Sequence, residues 1–184
     1  MKNYLKVAMI LGVICAVAAV ILAFVNSVTA PRIAEYEEKQ TLLALESVAS
    51  GYDIGERSYD DADENVNYLI PLSRNGATVG YILELNANGY GGAMTLVASF
   101  DTEGKVLAAK MLSNSETPGL GKKSEAAGYM DKFLGTGGST SVPTSKSELS
   151  AADAQAVSGA SVTFTGIAKA LAYGSGYVKQ LGGR

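Results

Sequence analysis

The chain has 184 residues, 15 basic and 18 acidic, with one cysteine and no histidine or tryptophan, for a formal charge of −3. Without histidine the usual Ser–His–Asp and Cys–His relays are excluded, and one thiol supports neither an intrachain disulfide nor a cysteine-ligated metal cluster. Redox chemistry therefore needs an organic cofactor or partner subunits, and the mild negative charge without a basic tract argues against nucleic acid.

Val7 to Val25 is a run of 19 residues with no charge. At about 1.5 Å rise per residue, it approximately spans a hydrocarbon core of ~30 Å. A cleaved signal peptide is the rival reading: Val28 and Ala30 give a small-residue pattern. However, Pro31 would follow the cut, and the run exceeds the usual ~7–15 apolar residues. A retained anchor in membrane lipid, residues 1–30 with a short tail, is expected. Lys2 and Lys6 flank one end, and Arg32 and Lys39 the other, diluted by Glu35, Glu37 and Glu38. This places the N-terminus in the cytoplasm and the remaining acidic domain, of charge −5, outside the cell membrane. Cys15 within the span reads as a small apolar residue.

Thr29 reads as the cap of a helix with Pro31 in its first turn. Glu35 and Lys39 pair at i, i+4, and Leu42, Leu45 and Val48 repeat on one face, so a stalk helix is expected over 31–50, continuing the membrane helix to about Ala49. Gly51 to Glu64, with Asp53, Glu56, Asp60, Asp61, Asp63 and Glu64, reads as a solvated acidic loop, with an ion-attracting patch as the lesser reading; its spacing fits no EF-hand. Strands are expected at 68–73, 78–85, 94–100 and 105–112, the third and fourth joined through the turn Asp101–Gly104. The glycines around Tyr90 break the pattern between the second and third. Lys122 to Leu134 reads as an uneven helix interrupted by Gly128, 135–150 as a Gly/Ser/Thr-rich loop, and Thr163 to Leu181 as a final helix. The fold class is α+β: a single transmembrane helix, then a domain of 51–184 with a mainly antiparallel sheet and flanking helices.

Two motifs carry the chemistry. Ser158-Gly159-Ala160-Ser161-Val162-Thr163 lies where a loop enters a helix. Unpaired N–H groups and the helix dipole favour an anion there, Gly159 and Ala160 admit a ligand to the backbone, and three hydroxyls can bond or esterify a phosphate. An ordinary Ser/Thr cap is the bland alternative. Glu116-Thr117-Pro118-Gly119-Leu120-Gly121, followed by Lys122 and Lys123, suits a type II turn with Pro118 and Gly119 central. Such a turn exposes Leu120 and offers amides and lysines to an electron-rich ring or phosphate; a plain connecting turn is the alternative.

ETPGLG followed some forty residues later by SGASVT resembles the FMN-binding domain family shared by RnfG and NqrC. The likeness covers the anchor, the stalk, the Gly-Tyr-Gly-Gly segment, the sheet and both motifs; the length and compact stalk are more similar to RnfG. The resemblance implies FMN joined through its phosphate to Thr163 by a flavin transferase acting on FAD. Ser161 takes the place of the family's usual Thr, and Gln155 that of a frequent Asp. It also implies a subunit of an Rnf complex, with integral membrane and peripheral partner subunits. That complex couples electron transfer between ferredoxin and NAD to Na⁺ or H⁺ translocation. On this resemblance the chain would relay electrons through FMN and perform no independent catalysis. Glu116 to Gly121 and Lys122 would border the flavin, and Ser158, Gly159, Ala160 and Ser161 its phosphate. An NqrC-like subunit, a free-standing extracellular flavin shuttle and a non-redox anchored binding module are the alternatives.

Overall fold

A computed structural model describes residues 2–59 and 63–182, without the side chains of Lys2 and Asn3. The acidic Asp60 and Asp61, and Lys2 as a flanking charge, lie outside the described residues. The chain divides into two compact units, Met1–Thr41 and Leu42–Arg184.

The first unit is helical. Helix α1 runs from Lys2 to Ala49 without a break. Its apolar side chains point outward in every direction: Val7 and Phe24 are both more than half exposed. Such an all-round apolar surface is stable in lipid, not in water. Among the described residues it is the one helix long and apolar enough to cross a membrane. Thr29 does not cap a new helix. Its hydroxyl donates back to the Val25 carbonyl at 2.9 Å, a mid-helix bond, and Pro31 lies inside the helix. A helix already propagating from the apolar run needs no second nucleus.

The second unit is built on an antiparallel sheet. Strands β3 (Val66–Arg74), β4 (Ala77–Asn88), β5 (Ala93–Asp101) and β6 (Val106–Asn114) pair in sequence order. Two short strands, β1 (Asp53–Ile54) and β2 (Ser58–Tyr59), both pair with β3, so part of the expected acidic loop extends the sheet. Both faces of the sheet are buried. Leu83, Leu85 and Phe100 join Ile167 and Leu171 of helix α3 (Ser161–Gly182) in one core. Ile70, Leu72, Ile82 and Val97 pack with Leu45 and Val48 from the last turns of α1 in the other. The Asp101–Gly104 turn forms as expected, with Gly104 N–H donating to the Asp101 carbonyl at 3.0 Å.

The expected helix over 122–134 is instead two 3-10 helices, Gly121–Glu125 and Tyr129–Phe133, separated by Gly128 at φ 78°. Tyr129, Met130 and Phe133 are buried, so packing, not helix propensity, sets this segment. Within the expected loop 135–150 lies one 3-10 turn, Lys146–Glu148. A short helix, α2 (Ala151–Ala156), follows, with Ser150 accepting from Asp153 N–H.

Candidate functional site

Three chain segments converge beside the N-terminus of α3. The first is the tip of the β4–β5 hairpin. Asn88 pairs with Ala93, leaving Gly89-Tyr90-Gly91-Gly92 as the turn, closed by Gly89 N–H donating to the Gly92 carbonyl at 2.8 Å. Tyr90 projects from this glycine frame and is 79% exposed. The second is the expected turn after β6. Leu120 N–H donates to the Thr117 carbonyl at 3.1 Å, and Gly119 has φ +77°, the left-handed value a type II turn requires after Pro118. The third is the approach to α3. Gly159 turns the chain at φ +81°, and Phe164 N–H donates to the Ala160 carbonyl at 2.9 Å, so the helix begins at Ser161 rather than at Thr163.

The two motifs meet. A Cβ built on Gly159 would stand 3.2 Å from Leu120 Cδ2. The deeper link is polar: Thr163 Oγ1 donates to Glu116 Oε2 at 2.8 Å, and Gly91 N–H donates to Glu116 Oε1 at 2.9 Å. Both partners are buried, Glu116 at 4% exposure and Thr163 at 1%.

Around this contact lies a cavity of about 420 Å³. Glu116, Thr117, Leu120 and Gly121 form one side, Gly159 to Thr163 the other, and Tyr90 stands at the tip. The other expected site residues, Ser158, Pro118, Gly119 and Lys122, belong to the turns behind these walls and do not line the cavity. Lys122 is engaged elsewhere: its ammonium pairs with Glu125 at 2.7 Å and reaches the Asn114 carbonyl at 3.3 Å. Burial pushes the Tyr129 hydroxyl up to about 12, with the negative charge of Glu116 adding to the shift. A second cavity of about 600 Å³ shares the Ser161 and Val162 wall and is lined further by Asn65, Asn86, Asn88, Lys169 and Tyr173.

Sequence reasoning missed Tyr90 and Val162 as lining residues. The signal for Tyr90 was present, a lone aromatic in a glycine run. Val162 had none, because an exposed valine at a helix start carries no pattern.

The cavity suits a flavin. Tyr90, Leu120 and Val162 are exposed and offer apolar surface to a flat ring, while the first turn of α3 offers N–H groups to a phosphate.

Comparisons with known proteins agree with this geometry. Residues 1–48 match the RnfG N-terminal region and residues 89–174 the FMN-binding domain. The chain is 30% identical over 148 residues to an Acetobacterium woodii protein, the G subunit of a Na(+)-translocating ferredoxin:NAD(+) oxidoreductase complex. The match covers 73% of this chain and 70% of the relative. It is 32% identical over 124 residues to the G subunit of an ion-translocating oxidoreductase complex of Stutzerimonas stutzeri, covering 64% of this chain and 54% of that protein. The corresponding G subunit of Methanosarcina acetivorans is 26% identical over 185 residues, covering 96% of this chain and 95% of the relative. The chain spans little more than half the length of the Stutzerimonas relative and of its Cereibacter sphaeroides counterpart. With its long apolar helix and its flavin-suited cavity, the chain belongs to the RnfG family.

Proposed function

We propose that this chain carries FMN as the electron-relay subunit of a membrane complex that couples electron transfer between ferredoxin and NAD to Na⁺ or H⁺ translocation. The observation that carries this reading is the single cavity formed by two motifs some forty residues apart, closed by the Thr163–Glu116 hydrogen bond. Bound FMN would supply electron transfer one or two electrons at a time. Tyr90, Leu120 and Val162 would hold the ring and shield it from water. The names of the Acetobacterium and Clostridium ljungdahlii relatives support the ferredoxin and NAD couple. The other Rnf subunits are the partners, and the domain lies outside the cytoplasm.

The flavin is held covalently, as a phosphoester on a hydroxyl of the Ser158–Thr163 segment made by a flavin transferase. The family resemblance points to Thr163. Its hydroxyl lines the cavity and is held in place by its hydrogen bond to Glu116. Ser161 lies two residues earlier on the same cavity wall, exposed, at the first position of α3 where the helix dipole favours an anion. Thr163 is therefore the proposed acceptor, with Ser161 as the alternative on the same wall.

Co-expression with a flavin transferase tests both statements. The intact mass rises by FMN minus water in the wild type. Thr163→Val loses the adduct and Ser161→Ala retains it; the reverse result moves the acceptor to Ser161. No added mass in any form refutes the covalent reading.

A further inference from the structure

We propose that Glu116 is the positioning residue of this cavity: its buried carboxylate clamps the hairpin tip to the first turn of α3 and places the cavity's one charged side chain against the flavin. The inference rests on the flavin reading above and deepens it.

The clamp is visible in its contacts. One oxygen accepts from Gly91 N–H and the other from Thr163 Oγ1, so one side chain ties together two segments far apart in sequence. The backbone of Glu116 is itself fixed, its N–H donating to Asn114 Oδ1 at 3.0 Å. Asn114 in turn donates to Glu125, the partner of Lys122. The lysine that follows the motif thus braces the clamp from behind.

The surroundings are shaped to this carboxylate. A Cβ at Gly89 would stand 2.0 Å from Oε1, and a Cβ at Gly121 would stand 2.0 Å from Oε2. Real side-chain carbons never approach oxygen so closely, so any larger residue at either position expels Glu116. Neither glycine has a positive φ; clearance alone accounts for both. Two glycines on different segments that both clear one buried side chain mark a site built for it.

The charge acts on the ring as well. Among the residues lining the cavity, Glu116 is the one acidic residue, and no lysine or arginine lines it. A carboxylate in a water-poor site opposes the arrival of an electron on an adjacent ring, and no facing cation offsets it. Glu116 therefore holds the flavin potential below the value a neutral side chain would give.

The experiment uses the full-length chain, co-expressed with a flavin transferase and purified in detergent. Three quantities are read: the FMN-bearing fraction by intact mass, the visible absorption, and the midpoint potential by reductive titration. Glu116→Gln can keep both hydrogen bonds, accepting from Gly91 and donating to the Thr163 hydroxyl. It is expected to load more FMN than Glu116→Ala does, while the potential of the loaded fraction moves positive. Glu116→Ala and Gly121→Ala lose the clamp, and their loading falls at least tenfold, with a shifted flavin spectrum in the fraction that loads. Thermal melting of the unloaded chains checks folding; if Glu116→Ala does not fold, the Gln variant decides. A loaded Glu116→Gln chain with an unmoved potential, or a Glu116→Ala chain that loads as the wild type does, overturns this inference alone. A wild type that takes no flavin overturns the functional reading and this one with it.

Discussion

Helix α3 contains two glycines whose replacement by alanine should move stability in opposite directions. Gly176 faces open space, with nothing within 4 Å of the methyl carbon an alanine would add. Alanine there gains helix propensity, up to about 1 kcal/mol. Gly166 sits where α3 crosses β4: a Cβ would lie 2.1 Å from the Asn88 carbonyl oxygen, 3.0 Å from its carbon and 3.1 Å from Met94 Cε. The methionine end can swing away. The carbonyl cannot, because Asn88 is paired with Ala93 at the end of the β4–β5 ladder. Overpacking of this kind costs about 1–3 kcal/mol, and a contact this short belongs at the upper end. After the propensity gain, Gly166→Ala loses about 2 kcal/mol, or roughly 4–8 °C in Tm, while Gly176→Ala gains about 2–4 °C. The assay is thermal unfolding of the full-length chain in detergent, followed by circular dichroism. If Gly166→Ala melts as high as Gly176→Ala, the close seating of α3 on β4 is wrong, and with it the placement of the first turn of α3 beside Tyr90.

Phe164 is fully buried and stacks on Phe133 with ring centroids 5.4 Å apart. Phe164→Ala should cost about 3–5 kcal/mol, read as a lower denaturant midpoint at unchanged slope. Tyr129 titrates at about 12 in the folded domain against an ordinary 10.0. A folded value above the unfolded one means this contribution is intact below pH 10 and is lost as pH rises toward 12. Phenolate absorbance should therefore show a late-titrating class that appears together with unfolding; a single normal transition in the folded protein counts against that burial. Leu120→Ala removes a side chain from the cavity wall and should perturb the visible spectrum of loaded protein while lowering stability by no more than about 1 kcal/mol, because Leu120 is 46% exposed. For orientation, protease added to intact cells should digest the domain and spare the anchor; protection there with digestion in inverted vesicles would reverse the topology.

The elements with a strong local signal were legible. The apolar run from Val7, the strands over 66–114 and the Pro118-Gly119 turn all follow from period, breaker and turn chemistry. Misread positions are those where tertiary contacts outweigh local preference. Residues 122–134 carry a helical composition, yet Gly128 and the buried Tyr129, Met130 and Phe133 fix two 3-10 turns. Val79, Tyr81, Leu83 and Leu85 alternate as a half-buried strand should, but Ile82 on the opposite face is fully buried as well, because the end of α1 returns to cover it. Alternation cannot report a second covered face. Within the site, the two motifs were legible and their joining bond was not: no spacing rule links Glu116 to Thr163 across 47 residues.

The position of Lys122 shows how the same residue type can serve the reverse of its apparent purpose. Read as sequence, a lysine after ETPGLG offers positive charge to a reduced flavin. In the fold its ammonium is engaged by Glu125 and the Asn114 carbonyl, and Asn114 holds the backbone of Glu116. The net effect of the cluster on the cavity is thus negative. The apolar run itself adds no charge, since Val7 to Val25 holds no Asp, Glu, Lys or Arg. One apolar helix of that kind offers an ion no polar path across lipid. In the proposed complex the electron step and the ion step therefore fall on different subunits. On the proposed reading this chain's part is to hold a flavin at a potential lowered by Glu116, and the ion step belongs to its partner subunits.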